Sequence, residues 1–155
     1  MFKVLIANGL TDTLPLKADQ VAAKLANLQA PNAYIDSLID GAPVGIDSAD
    51  GCAIVTEGTG TSIGLIVNGS LANAAANYHG LANKQITYVC GPALVETDVV
   101  KGGIAYNPGD KLYAGIGADK GVLTKDGTGN TDRILGIVKR GRTSGSTAPL
   151  TVIML

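Results

Sequence analysis

Tryptophan is missing from this 155-residue chain, phenylalanine and histidine occur once each, and charged residues make up only 16% of it. Each shortage removes a class of function. With aromatic residues at 4% and no tryptophan, a sugar-stacking platform and a groove that stacks bases both have little material to be built from. Twelve basic side chains stand against thirteen acidic ones, a net charge of −1, so there is no general field for phosphate backbones or anionic membranes. The two cysteines, Cys52 and Cys90, have neither CxxC spacing nor a nearby histidine. They read as buried thiols of a protein made in a reducing cytosol, not as zinc ligands. No apolar run approaches the roughly 20 residues of a membrane helix, and "MFKVLIANGL" carries no cleavage pattern of a secretion signal.

What is present is 46% hydrophobic residues, mainly Ala, Val, Ile and Leu, punctuated by 21 glycines. That is the composition of a lightly charged β-former. The length suits one compact domain, or one with a small appendage.

The first third differs from the rest. "FKVLIANG" reads as a short strand ended at Asn8-Gly9. Leu16, Val21, Leu25 and Leu28 then fall close to helical spacing, which predicts an amphipathic helix from about Lys17 to Gln29 closed by Pro31. A second short helix is expected in "NAYIDSLIDG", capped by Asn32 and ended by Gly41. Residues 1–41 are therefore expected to form an N-terminal arm with one or two short helices, and residues 42–155 a β-domain.

From Ala42 onward, short apolar runs alternate with Gly, Asp-Gly and Thr-Gly turns. The runs "APVGID", "CAIVTE", "SIGLIVNG", "KQITYVCG", "ALVETDVV", "GIAYN", "KLYAGIG", "GVLTK", "RILGIVKR" and "LTVIML" read as strands. The fold class expected is mainly β, a small barrel or sandwich of short antiparallel strands. "SLANAAANYHG" fits either a helix or a long loop. An internal echo runs through this region: "ADGCAIVTEGTGTSIGLIVNG" at 49–69 resembles "ADKGVLTKDGTGNTDRILGIVKRG" at 118–141, and each is followed by a Thr-containing apolar strand. Two related hairpin-based halves, 42–91 and 103–155, are one reading; a chance likeness of Gly- and Thr-rich hairpins is the other.

Catalytic patterns are scarce. His79 has no acidic neighbour in sequence and no GxSxG elbow to serve, and Ser37, Ser48, Ser62 and Ser70 sit in turn or cap contexts. It reads as a surface or interface side chain. "EGTGTSIG" and "DGTGNTD" match neither a phosphate-binding loop nor a dinucleotide fingerprint. The oxygens of Asp126, Thr128, Asn130 and Asp132 lack the Gly and Glu of a calcium loop. Glu96 with Asp98, and Asp110 with Asp119, are available carboxylate pairs, but at turn or solvent-facing positions. "KRGR", Lys139 to Arg142, reads as an edge-guarding or partner-facing loop. The five tyrosines, Tyr34, Tyr78, Tyr88, Tyr106 and Tyr113, offer amphipathic contact area. No catalytic, cofactor-binding or metal-ligating residue is assigned. In "YNPGDKLYAG", Pro108 and Gly109 suit the two central positions of a type II turn over Asn107 to Asp110. Asp110 and Lys111 then sit at an exposed strand start, with Leu112 and Tyr113 on opposite faces.

The segment Val100 to Leu155 carries a Gly-containing strand, a Pro-Gly-Asp turn, "LYAG", a "GVLT" strand, a Gly-rich turn, "LGIV" and a last strand of Val, Ile and Leu. In this order of parts it resembles the decoration, or cement, proteins of tailed-bacteriophage heads. The resemblance implies a structural virion protein, not an enzyme, without cofactor. It implies binding to the major capsid protein on the outer capsid surface, as a homotrimer made in the host cytoplasm, with no nucleic-acid or membrane partner. Met1 to Leu16 would be an arm that orders on binding. The competing expectations are a phage or bacterial adhesin or tail-associated binding module, and a small β-barrel hydrolase using His79 with a distant carboxylate.

Overall fold

The computed structural model describes residues 2–7, 11–15, 41–46, 53–55, 61–67, 85–127 and 134–155. The expected helices at 17–29 and 32–40, the "SLANAAANYHG" segment and residues 128–133 lie outside them.

The described residues are mainly β. Five strands, β2 (Thr11–Pro15), β3 (Pro43–Ile46), β4 (Ala53–Val55), β5 (Thr61–Ile66) and β6 (Gln85–Val89), form one sheet in the order β2-β6-β5-β3-β4. Six more, β1 (Phe2–Ala7), β7 (Ala93–Thr97), β8 (Lys111–Ala114), β9 (Leu123–Thr124), β10 (Gly136–Arg140) and β11 (Leu150–Met154), form a second in the order β1-β7-β11-β10-β8-β9. Every ladder is antiparallel. The second sheet curls until the chain leaving β7 meets its far edge. There the Leu123 N–H donates to the Val99 carbonyl (3.0 Å) and the Lys101 N–H to the Leu123 carbonyl (2.8 Å). The bend between is held by the Val99 N–H donating to Thr97 Oγ1 at 3.0 Å. This half is barrel-like.

The two sheets repeat one strand order. Stepping each of β2-β6-β5-β3-β4 forward by five strands gives β7-β11-β10-β8-β9. The registers agree too: Leu65↔Val89 and Ile66↔Tyr88 correspond to Ile137↔Ile153 and Val138↔Val152. Pro43↔Leu65 and Val44↔Gly64 correspond to Lys111↔Ile137 and Leu112↔Gly136. The echo in the sequence is therefore a structural repeat, and it begins one strand earlier in each half than the expected boundaries at 42 and 103. It also shifts by one residue in the short strands: the ladders match Ala53 with Leu123, not with Val122.

The residue choices that fix this repeat are small. Gly64 and Gly136 occupy equivalent sites in β5 and β10. A Cβ on Gly64 would collide with the Val89 carbonyl, and one on Gly136 would stand 2.6 Å from Val152 Cγ1 and 2.9 Å from the Ile153 carbonyl oxygen. The neighbouring strand therefore approaches closely only where no side chain intervenes. The turns entering β3 and β8 match as well. Gly41 (φ +90°) and Gly109 (φ +92°) take the left-handed conformation that glycine adopts without steric cost. Their N–H groups donate to equivalent carbonyls, Ile66 at 2.7 Å and Val138 at 2.8 Å, and the return bonds run from Ile66 to Ala42 (2.9 Å) and from Val138 to Asp110 (2.9 Å).

One core serves both sheets. Leu65 and Val89 of the first join Val95, Leu112, Leu123, Leu135, Val138, Leu150 and Val152 of the second in a single buried cluster. Among the described residues the expected strands from β3 onward appear, with two exceptions. "GIAYN" makes only an isolated bridge, Tyr106 to Arg142, and "ALVETDVV" stops at Thr97, where the chain turns toward β9. The stretch expected as an arm contributes β1, paired with β7, and β2, paired with β6.

Candidate interaction surface

Two surfaces of the second half combine exposure with chemistry. The first is an open cleft of about 640 Å3 lined by Lys101, Ile104, Gly109, Asp110, Lys111, Tyr113, Lys125 and Asp126. The "YNPGDKLYAG" turn forms its rim. The Asp110 N–H donates to the Asn107 carbonyl at 3.1 Å, and with Gly109 at positive φ this fits the type II turn read from Pro108-Gly109. The Asp110 carboxylate folds back to accept from the Asn107 N–H (2.9 Å) and from Lys125 Nζ (3.2 Å). The Asn107 N–H, aided by the Lys125 ammonium, outweighs partial desolvation and lowers the Asp110 pKa below its ordinary 3.8.

Across the cleft, Lys101 Nζ lies 2.8 Å from Asp119 Oδ2. That hydrogen bond, with the charge behind it, raises the lysine pKa. Three of the four carboxylates considered as acid-base pairs are matched with a cation: Asp110 with Lys125, Asp119 with Lys101, and Glu96 with Arg140 at 2.8 Å. The lowered pKa of Asp110 suits it to fixing the turn, not to donating a proton near neutral pH.

Tyr106 is a structural pin. It is 1% exposed, donates its hydroxyl to the Lys101 carbonyl at 3.0 Å and exchanges backbone hydrogen bonds with Arg142, both at 2.9 Å. Burial pushes its pKa up to about 12. The Arg142 guanidinium lies over the ring, 5.7 Å from its centroid. Arg142 is therefore part of the body, whereas Lys139 and Arg140 lie within β10 and are exposed. Of the tyrosines considered as contact area, Tyr88 and Tyr106 are buried and Tyr113 is half-buried in the cleft; Tyr34 and Tyr78 lie outside the described residues. Ser62 is buried and Cys90 is a half-buried thiol. His79, Cys52, Ser37, Ser48, Ser70 and the oxygens from Thr128 to Asp132 also lie outside them.

The second surface is the outer face of the six-stranded sheet. Cross-strand partners share a face, and one row runs Leu94, Ile153, Ile137, Lys111. Ile153 is 42% exposed although β11 is an interior strand of the sheet. Leu155, two residues on, is 45% exposed, and Leu5 in β1 is 38% exposed. Sequence reasoning did not find this row, but a signal exists. "LTVIM" is apolar at four of its five positions instead of alternating, which is what a strand with apolar groups on both faces shows.

Comparison with models of known protein families, with curated proteins and with solved structures gives no match to this chain.

Proposed function

We propose that this chain is a structural virion protein that binds the outer surface of a bacteriophage capsid and stabilises the shell, with the major capsid protein as its partner. The observation that carries the reading is a coincidence of segments. Val100 to Leu155, the part that resembles capsid decoration proteins, makes up most of the barrel-like half and supplies Ile137, Ile153 and Leu155 to an exposed apolar face. A protein of this kind acts by rigid attachment. Among the described residues, the glycine-dependent turns, the Tyr106 pin and three ion pairs fix the loops of this half.

Assembly as a homotrimer belongs to the same proposal. Three equivalent contacts raise the effective concentration for the second and third, so avidity exceeds one-site affinity by roughly 10²-fold or more. Weak individual patches then suffice. Electron microscopy of shells from the encoding phage, with and without added protein, tests the reading: extra density on the outer surface is expected, and its absence at saturating protein would sink it.

A second reading, an adhesin or tail-associated binding module, is favoured by the cleft, where Tyr113 lies among lysines and aspartates. Binding to intact host cells that is lost in Tyr113→Ala, with no binding to shells, would select it.

A further inference from the structure

We infer that the outer face of the six-stranded sheet docks a partner protein whose contact patch is apolar at its centre and carries carboxylates at its margin. Among the described residues, all the exposed large hydrophobic side chains, Leu5, Ile153 and Leu155, belong to strands β1 and β11 or the residue following them. Clustering of this kind marks contact sites, whereas single exposed leucines are ordinary.

The internal repeat says what such a row is for. The first-half counterparts of Ile153, Ile137 and Lys111 are Val89, Leu65 and Pro43, matched through the shared register. Val89 and Leu65 are 0% exposed and sit in the core cluster formed with the second half. The same row of the same fold is thus a protein contact in one half and bare in the other.

Charge identifies the occupant. The row ends at Lys111, and Lys3, Lys139 and Arg140 stand around it, all four exposed; Glu96 on the same face is bound to Arg140, while Asp110 and Asp126 lie in the cleft beyond Lys111. Two copies meeting face to face through this row would bring like charges together, whereas a patch rimmed with Asp or Glu would pair with them. The inference deepens the shell-binding reading and rests on it for the partner's identity; the chemistry of the face stands apart from it.

Two arms test it. In the first, fluorescein-labelled amphipathic peptides with leucines on one face, flanked by glutamates or by lysines, are titrated with the full chain and followed by anisotropy. The glutamate peptide is expected to bind about tenfold more tightly or better, and binding is expected to fall as salt rises. Ile153→Asp and, separately, Lys111→Glu combined with Lys139→Glu should each remove that preference at unchanged circular dichroism. The charge variants keep the test valid if Ile153→Asp unfolds. Equal binding of the two peptides, binding of neither, or variants that bind like the parent would overturn the inference. So would sedimentation showing a self-associated parent chain that Ile153→Asp makes monomeric, because the occupant would then be a second copy. In the second arm the same variants are mixed with shells. A parent chain that binds shells while both variants bind equally well overturns the face alone. A parent chain that binds no shell overturns the shell reading and leaves the peptide result to decide the face.

Discussion

Val89 and Ile153 occupy one position of a repeated fold, yet the first is fully buried and the second 42% exposed. Their neighbours follow suit, Leu65 buried and Ile137 half-exposed. The difference teaches that strand order and surface role are set by separate features. Strand order depends on glycine at the close approaches and turns, where the halves agree. Surface role depends on what covers the sheet, and there they diverge. The described ion pairs also lie in the second half's strands and turns. At the turns entering β3 and β8, Ala42 stands where the second half has Asp110, and Pro43 where it has Lys111. The shared topology does not need this charge.

The largest expected effect on the agreement between halves comes from its glycines. Gly64→Ala should destabilise by about 3 kcal/mol, because the obstacle is the Val89 backbone carbonyl. Gly136→Ala should cost about 1 to 2 kcal/mol, since part of its obstacle is the Val152 side chain. Denaturant titration of both variants checks the order, and a reversal would show that the two approaches are not equivalent.

Tyr106→Phe, in the half that carries the pin, should cost about 1 to 3 kcal/mol by leaving the Lys101 carbonyl without its hydroxyl donor. It should also change the alkaline limb. The phenol's folded pKa is raised from 10.0 to about 12, so its contribution is complete below pH 10 and is lost as pH rises toward 12. The phenylalanine variant should show a flatter stability profile across that window.

The turn glycines give a finer comparison. Gly109→Ala meets open space and should cost about 1 kcal/mol, the price of the left-handed backbone alone. Gly41→Ala has the same φ but also meets Phe2 Cδ2 at 2.9 Å and Thr97 Oγ1 at 3.1 Å, so about 2 kcal/mol is expected. Thermal unfolding of the pair isolates the steric contribution of Phe2 in β1 and Thr97 in β7. Smallest is Asp110→Asn. Because the folded pKa of Asp110 lies below 3.8, its stabilisation is present above that pH and fades as pH falls through the lowered value. Acid titration should find the variant within about 1 kcal/mol of the parent at pH 7 and less sensitive to acid.

Much of the β-architecture was legible because Gly, Asp-Gly and Thr-Gly punctuation isolates short apolar runs, and β3 to β11 fall within or beside the expected runs. The strand Thr11–Pro15 was not legible, since Asp12 and Pro15 are poor strand formers and its support comes from pairing with β6. Tyr106 read as contact area because nothing local shows that its hydroxyl reaches the Lys101 carbonyl. The bare row was hidden for a different reason. Ile153 and Val89 are both apolar, and whether such a residue is covered depends on which sheet lies over it.

The equivalence of the two rows, and the divergence of their roles, are tested most directly by measuring the unfolding free energies of Val89→Asp and Ile153→Asp side by side. Val89→Asp puts a carboxylate into the shared core and should cost at least about 4 kcal/mol or prevent folding. Ile153→Asp should cost about 1 kcal/mol or less, within the range of strand preference at an exposed position. Equal destabilisation of the two would contradict the assignment, placing Ile153 in the interior and leaving the outer face without a docking row.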